Sequence, residues 1–297
     1  MTGLTIFIQD VVGGLGIGSV YALIALGFSL IYRAIGLVNF AQGNLVMFGT
    51  YIGLTFSMGL LGVPALSPLL AFLIGLAAGA LIGVGLERLF RPLAKLDLSY
   101  MLVGTIGIGI VLDNVASRLW GSQGVQSPTP IPNTVIRIGG VSLVPYYFLM
   151  MAVAAVLVTG LQFFLTRTNL GRALRASAQD REVAACFGIP VNRMNALAFA
   201  IGVALAAAAG MLSAPVLYTY PAVGNSLGIK GFVAAVIGGL GDIPGAILGG
   251  LMIGVAETII AGYISSAYTD LFAYLLLTLV LIVRPEGLLG ARTVEKV

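Results

Sequence analysis

The feature that most constrains this chain is a succession of long apolar runs separated by short connectors that carry most of the charge. A helix needs roughly 20 apolar residues to cross the hydrocarbon of a bilayer. That ruler predicts spans near 11–32, 39–61, 66–86, 98–116, 143–165, 194–217, 244–262 and 268–283. A ninth segment, 229–241, is apolar and glycine-rich but too short for an ordinary crossing. In lipid every backbone amide must find its partner inside the fold, which favours helices for runs of this length. Composition agrees. Only 9% of the residues are charged, against about 25% in a typical soluble domain, too few to cover a water-facing surface. The expected fold class is all-α and polytopic, with about eight to nine transmembrane or re-entrant segments. Residues 1–10 hold no Lys or Arg and so lack the basic start of a secretory leader, which makes 11–32 a retained first span.

Basic residues orient the chain. With the N-terminus outside and nine crossings, the inside connectors hold Arg33; Arg88, Arg91 and Lys95; Arg167, Arg172, Arg175, Arg181 and Arg193; and Arg284, Arg292 and Lys296. These are twelve of the fifteen Lys and Arg, leaving Arg118, Arg137 and Lys230 outside. The positive-inside rule then places the segment 166–193 and the C-terminal tail in the cytoplasm. A re-entrant 229–241 would change the parity and move one end. Because the basic residues sit between apolar runs, the net charge of +4 does not point to nucleic acid.

Several chemistries are excluded by residue type. There is no histidine and a single cysteine, Cys186, so the chain has no intrachain disulfide, no ordinary Cys/His metal site and no histidine relay. The stretch GNSLGIKG at 224–231 lacks the spacing and terminal Ser/Thr of a phosphate loop. Active transport would have to draw on an ion gradient or on another subunit.

Four features could carry function. In GLVNFAQGNLVMFGTY (36–51), Asn39, Gln42 and Asn44 sit among apolar residues and glycines. Buried amides need partners in a bilayer, so this is either a broken helix lining a substrate path or an interfacial cap. In IGGLGDIPGAILGG (237–250), six glycines and a proline predict a helix break. Two interrupted segments, one in each half, hint at an inverted repeat, although the halves show no clear letter-by-letter similarity. The cytoplasmic segment TRTNLGRALRASAQDREVAACFGIPVNR (166–193) predicts one amphipathic helix from about 170 to 187. Thr168 or Asn169 would cap it and Gly188 with Pro190 would close it. Arg172, Arg175, Gln179 and Glu182 share one face. Ala173, Ala176, Val183, Ala184 and Phe187 share another, with Asp180 as the polar exception. Such a helix could lie on lipid headgroups or dock in a soluble partner. Finally, Asp113 and Glu257 are acids in or near spans, functional by default unless they snorkel to water.

Two further patterns read as architecture. Small residues at helical spacing, namely Ala71, Gly75, Gly79 and Gly83, then Gly241, Gly245 and Gly249, and also Gly14 and Gly18, predict close helix packing. The outside loop 117–142 alternates Pro128, Pro130 and Pro132, which favours extended backbone, and its VIRI could pair as a short strand. It reads as a stiff connector or as a docking surface for an external partner.

The chain resembles the membrane permease subunits of ABC importers for branched-chain amino acids. The resemblance covers nearly the whole length and rests on residues 18–51, TIGIGIVLDN (105–114), residues 168–202 and residues 234–257. It implies a single transmembrane permease domain over 1–297 in a prokaryotic plasma (inner) membrane, with no catalysis and no cofactor of its own. Its implied partners are a second related permease subunit, two cytoplasmic ATP-binding subunits, an extracytoplasmic substrate-binding protein and membrane lipid, with no nucleic acid. It also implies that the segment around Arg172, Arg175, Asp180, Glu182 and Gly188 contacts the ATPase; Asn39, Gln42 and Asn44 are the candidate substrate-path residues on the broken-helix reading above. The family often has His where this chain has Gln42 and an acid where it has Asn44. Urea or short amides, carried by relatives in the family, are therefore the alternative to branched-chain or other amino acids. A stand-alone secondary transporter is the competing class.

Overall fold

The computed structural model describes residues 3–93, 98–132, 134–138, 141–284 and 286–290. Of the orienting residues, Lys95, Arg292 and Lys296 lie outside this set. Eleven α-helices follow in order among the described residues: α1 (Gly3–Ile35), α2 (Gln42–Met58), α3 (Pro68–Phe90), α4 (Leu98–Trp120), α5 (Pro145–Arg167), α6 (Asn169–Gln179), α7 (Arg181–Cys186), α8 (Val191–Ser213), α9 (Val223–Gly238), α10 (Ile243–Tyr263) and α11 (Thr269–Val283). A short antiparallel hairpin, β1 (Ile136–Ile138) and β2 (Val141–Leu143), precedes α5. The VIRI segment thus pairs as its sequence predicts.

Among the described residues, seven apolar stretches are long enough to cross a membrane, and the shorter α2 and α9 bring the segments to nine. The chain is a multi-pass membrane protein. α1 and α8 form its hub: 72% of the apolar window of each is buried, against none for α11. The small-residue faces pack as predicted. Ala71, Gly75, Gly79 and Gly83 are buried on α3, where the glycines face Phe199, Val203, Ala207 and Met211 of α8. Gly245 and Gly249 seat α10 against Gly238 and Ala234 of α9, and Gly14 and Gly18 seat α1 against α10. Gly241 departs from the pattern. It lies in the α9–α10 connection at φ +88°, beside Gly239 at φ +108°. There a tight reversal needs backbone that only glycine adopts at low cost.

An inverted repeat would relate α1–α4, in order, to α8–α11. Helix pairing obeys this relation: α1 packs on α10 as α8 packs on α3, α2 on α8 as α9 on α1, α2 on α3 as α9 on α10, and α2 on α4 as α9 on α11. The α1–α8 and α2–α9 pairs lie on the axis. The segment predicted at 229–241 is the later part of α9, which starts at Val223.

The cytoplasmic helix predicted over 170–187 is two helices. Asp180 has extended backbone (φ −153°, ψ 113°), and its carboxylate caps α7 by accepting from the amides of Glu182 and Val183 at 3.0 Å each. A side chain that short competes with the helix for backbone amides and breaks it where a cap is formed. Thr168 caps α6 as expected, accepting from the Gly171 amide at 3.0 Å. Gly188 (φ +79°) closes α7.

Candidate functional site

α1 ends at Ile35, but α2 does not start at the cytoplasmic surface. The Gln42 side chain donates from Nε2 to the Gly202 carbonyl, 3.0 Å, and sits against Gly27. Gly27 lies eight residues before the end of α1, so at 1.5 Å per residue α2 begins about 12 Å inside the bundle. Residues 36–41 therefore climb back as non-helical backbone at membrane depth, which is tolerated only where protein or a cavity satisfies it. Three polar side chains supply the bonds. Thr105 Oγ1 accepts from the Phe40 amide at 3.3 Å, and Asn39 Oδ1 accepts from the Ala41 amide at 3.2 Å. Asn39 Nδ2 donates to Gln42 Oε1 at 3.3 Å. The stretch is a broken helix start whose side-chain amides brace the non-helical backbone; they do not cap α2, whose N-cap residue Ala41 receives no side-chain cap bond. Asn39 and Gln42 are 1% and 0% exposed and bond to protein groups.

Asn44 differs. From the third position of α2, its Nδ2 donates to Asp113 Oδ1 of α4 at 2.8 Å and to Asn225 Oδ1 of α9 at 3.4 Å. Asp113 is half-buried and Asn225 exposed. No cation pairs with Asp113 among the described residues. α2 packs on both α4 and α9, so its first turns lie in a cleft between them, where Asn44 is itself 5% exposed while Asp113 and Asn225 reach the surface. Near its outer end the cleft is closed by Trp120, stacked on Tyr51 with centroids 4.9 Å apart and donating to Thr55 Oγ1 at 2.7 Å.

Asn225 was not singled out from the sequence, yet a signal for it exists. Ala41-Gln42-Gly43-Asn44 and Ala222-Val223-Gly224-Asn225 are the same A-x-G-N start. The two alanines hold nearly one conformation, φ −72°, ψ −5° and φ −82°, ψ −6°. The repeats meet on the axis. A Cβ on Gly43 would come within 3.0 Å of the Gly228 Cα and closer still to the Gly224 carbonyl. Four residues in each half are too few to register as similarity until the fold superimposes them.

A second polar cluster spans four helices. Lys230 of α9 pairs with Glu257 of α10 and, at 2.9 Å, with Asp270 of α11. Tyr21 of α1 donates to the other Glu257 oxygen at 2.7 Å. Lys230 was assigned to an outside connector from its sequence position. It lies on a helix, and two acids hold it there. That leaves Arg118 and Arg137 as the basic residues that the sequence reading assigns to outside connectors. Glu257, the other intramembrane acid, is thereby neutralised.

In the 166–193 segment α6 buries Gly171, Leu174 and Ser177 against α5, α8 and α1. Arg172 is exposed and donates to Asn169 Oδ1 at 2.6 Å. Arg175 is half-buried, its Nε without a partner. On α7 only Ala184 is buried. The predicted apolar face is divided: Ala184 is buried and Ala173 packs against the core, whereas Val183 is 51% and Phe187 83% exposed.

The chain matches, over residues 11–281, the family described as branched-chain amino acid transport system / permease component. It is 40% identical to the high-affinity branched-chain amino acid transport system permease protein BraD of Pseudomonas aeruginosa, covering 98% of each chain. It is 36% identical to LivH, the permease protein of the same description in Escherichia coli, again over 98% of each. LivM of Escherichia coli, likewise a permease protein of that description, is 27% identical over 91% of this chain and 68% of its own length. No solved structure matches.

Proposed function

Because the chain belongs to the family of branched-chain amino acid transport permease components, we propose that it forms one side of the path of an ATP-driven importer for amino acids. The observation that carries this reading is the polar cluster of Asn44, Asp113 and Asn225, which includes an acid without a cation among the described residues. An uncompensated carboxylate facing lipid costs several kcal/mol, so this face needs a protein or a water-filled path against it. A second, related permease supplies both. LivH and LivM of Escherichia coli bear one system description, which fits a pair. The cleft also fits the substrate class. An amino acid is a zwitterion. Its ammonium would meet the Asp113 carboxylate, and its carboxylate the Asn amides and the positive ends of α2 and α9, which converge here. Asn39 and Gln42 would serve the path by holding the broken backbone in place, and Asn44 by facing it.

The whole chain, 1–297, then acts as one transmembrane domain in a prokaryotic plasma membrane, without catalysis. Energy enters through α6 and α7. Two cytoplasmic ATP-binding subunits would dock there, around the basic face of Arg172 and Arg175 and the exposed Val183 and Phe187. Asp180, Glu182 and Gly188 would shape α7. An extracytoplasmic binding protein would deliver substrate to the opposite end, where the 117–142 loop is tied to the α8–α9 connection through the Val125–Thr219 bridge. ATP-driven closure of the ATPase pair would move α7 and shift the spans between two states that bind substrate differently.

The test is Asp113→Asn in the complete transporter in proteoliposomes, with uptake of a panel of amino acids and neutral amides. Amino-acid uptake should fall by about tenfold or more, the effect of about 1.4 kcal/mol, while amide uptake is spared. Undiminished amino-acid uptake would remove the zwitterion reading and favour the amide alternative.

A further inference from the structure

Arg181 opens α7, and its Nη2 donates to the carbonyl of Ala34 at 2.8 Å. Ala34 is the penultimate residue of α1, in the last turn, where carbonyls have no partner inside their own helix. A guanidinium at this end meets both the orphan oxygen and the negative pole of the helix. The bond joins two segments separated by 147 positions, and both ends matter. On one side, α7 is short, capped by Asp180, and presents Val183 and Phe187 to the cytoplasm. On the other, Ala41, the residue before α2, stands seven positions after Ala34, and 36–41 are non-helical. Two positions into α2, beyond Gln42, stands Asn44.

We propose that Arg181 is the latch that transmits motion of α7 to the α1–α2 break, and through it to the Asn44–Asp113–Asn225 cleft. It is a positioning residue rather than a contact for the ATPase, and the inference rests on the reading of α6–α7 as the coupling segment. Helix α6 also packs on α1, so a push on the segment reaches α1 by contact. A pull reaches it only through a bond that holds in tension, and Arg181 provides one.

The two roles separate in one experiment. The complete transporter carrying Arg181→Gln or Arg181→Lys is purified through its ATP-binding subunit and reconstituted. Co-purification, ATP hydrolysis stimulated by loaded binding protein, and substrate taken up per ATP are then measured. Arg181→Gln should co-purify with its ATPase as the native chain does. Uptake per ATP should fall about tenfold, the scale of a typical coupling free energy. Arg181→Lys, which keeps a cationic donor, should recover part of it. Native uptake per ATP in Arg181→Gln overturns the latch. So does loss of the ATPase, which would make Arg181 a docking residue. The docking reading has its own control in charge reversal at Arg172 and Arg175: undisturbed co-purification there would undo that reading, whatever Arg181 does. Should Arg181→Gln fold poorly, Arg181→Met, which keeps the aliphatic stem without a donor, takes its place, and native uptake per ATP in that variant overturns the latch.

Discussion

Two polar clusters lie within the helices of this protein, and they are built on opposite principles. Around Lys230 the buried groups satisfy one another: the cation pairs with Glu257, Tyr21 takes up the remaining oxygen of that carboxylate, and the second acid, Asp270, has a side chain 61% exposed. The side chains of Lys230 and Glu257 are only 12% and 18% exposed. Around Asn44 the bonding is incomplete. Asp113 has an amide for a partner and no cation, and Asn225 is exposed. In a low-dielectric interior a satisfied network fixes geometry, whereas an unsatisfied one waits for a partner. The first cluster ties α1, α9, α10 and α11 together. The second has what a substrate or a facing subunit could complete.

The sharpest way to break this contrast is Lys230→Ala. It would leave Glu257 and Asp270 without a cation, and removing one member of a buried ionic group costs about 3–5 kcal/mol. Thermal unfolding in detergent should show the largest drop of the variants described here. Lys230→Met combined with Glu257→Gln should recover much of it. An unchanged Tm in the single variant would mean that the cluster holds nothing together.

Next comes Gly43→Ala at the crossing of α2 and α9. The added methyl meets backbone of Gly224 and Gly228, and overpacking of this kind costs about 1–3 kcal/mol. Gly224→Ala should behave alike, because the two glycines face each other across the axis. A marked difference between them would argue against the inverted relation.

Tyr21→Phe removes a single bond to a carboxylate, worth about 1.5 kcal/mol. It should lower Tm modestly and leave substrate preference alone. Asn44→Ala should have the smallest effect on stability, about 1 kcal/mol or less, and yet change uptake. If Tyr21→Phe altered substrate preference and Asn44→Ala did not, the assignment of the two clusters would have to be reversed.

Much of the fold is legible in the letters. Run lengths gave the crossings and basic residues their direction, because lipid accepts few backbone arrangements and few charges. The helix breaks at 36–51 and 237–250 could be read too, since glycine, proline and buried amides have local costs that do not depend on distant partners. The misplacement of Lys230 shows where this stops. A lysine on an apolar helix reads as a loop residue until Glu257 and Asp270, remote in sequence, are known to face it. Asp180 was visible as an interruption of an apolar face, but its service as a helix cap depends on which way the backbone turns there.

The sequence by itself thus determined a polytopic helical membrane protein, its inside-positive orientation and its interrupted segments, all consequences of transfer energies and local backbone preference. Only the tertiary structure decided that the A-x-G-N starts of two helices meet on one axis. It alone made Asn44 rather than Gln42 the amide that meets Asp113 and Asn225, and Arg181 the bond that joins α7 to α1. Each of these is a contact between residues far apart in the chain. Such contacts arise from packing, which no single segment encodes.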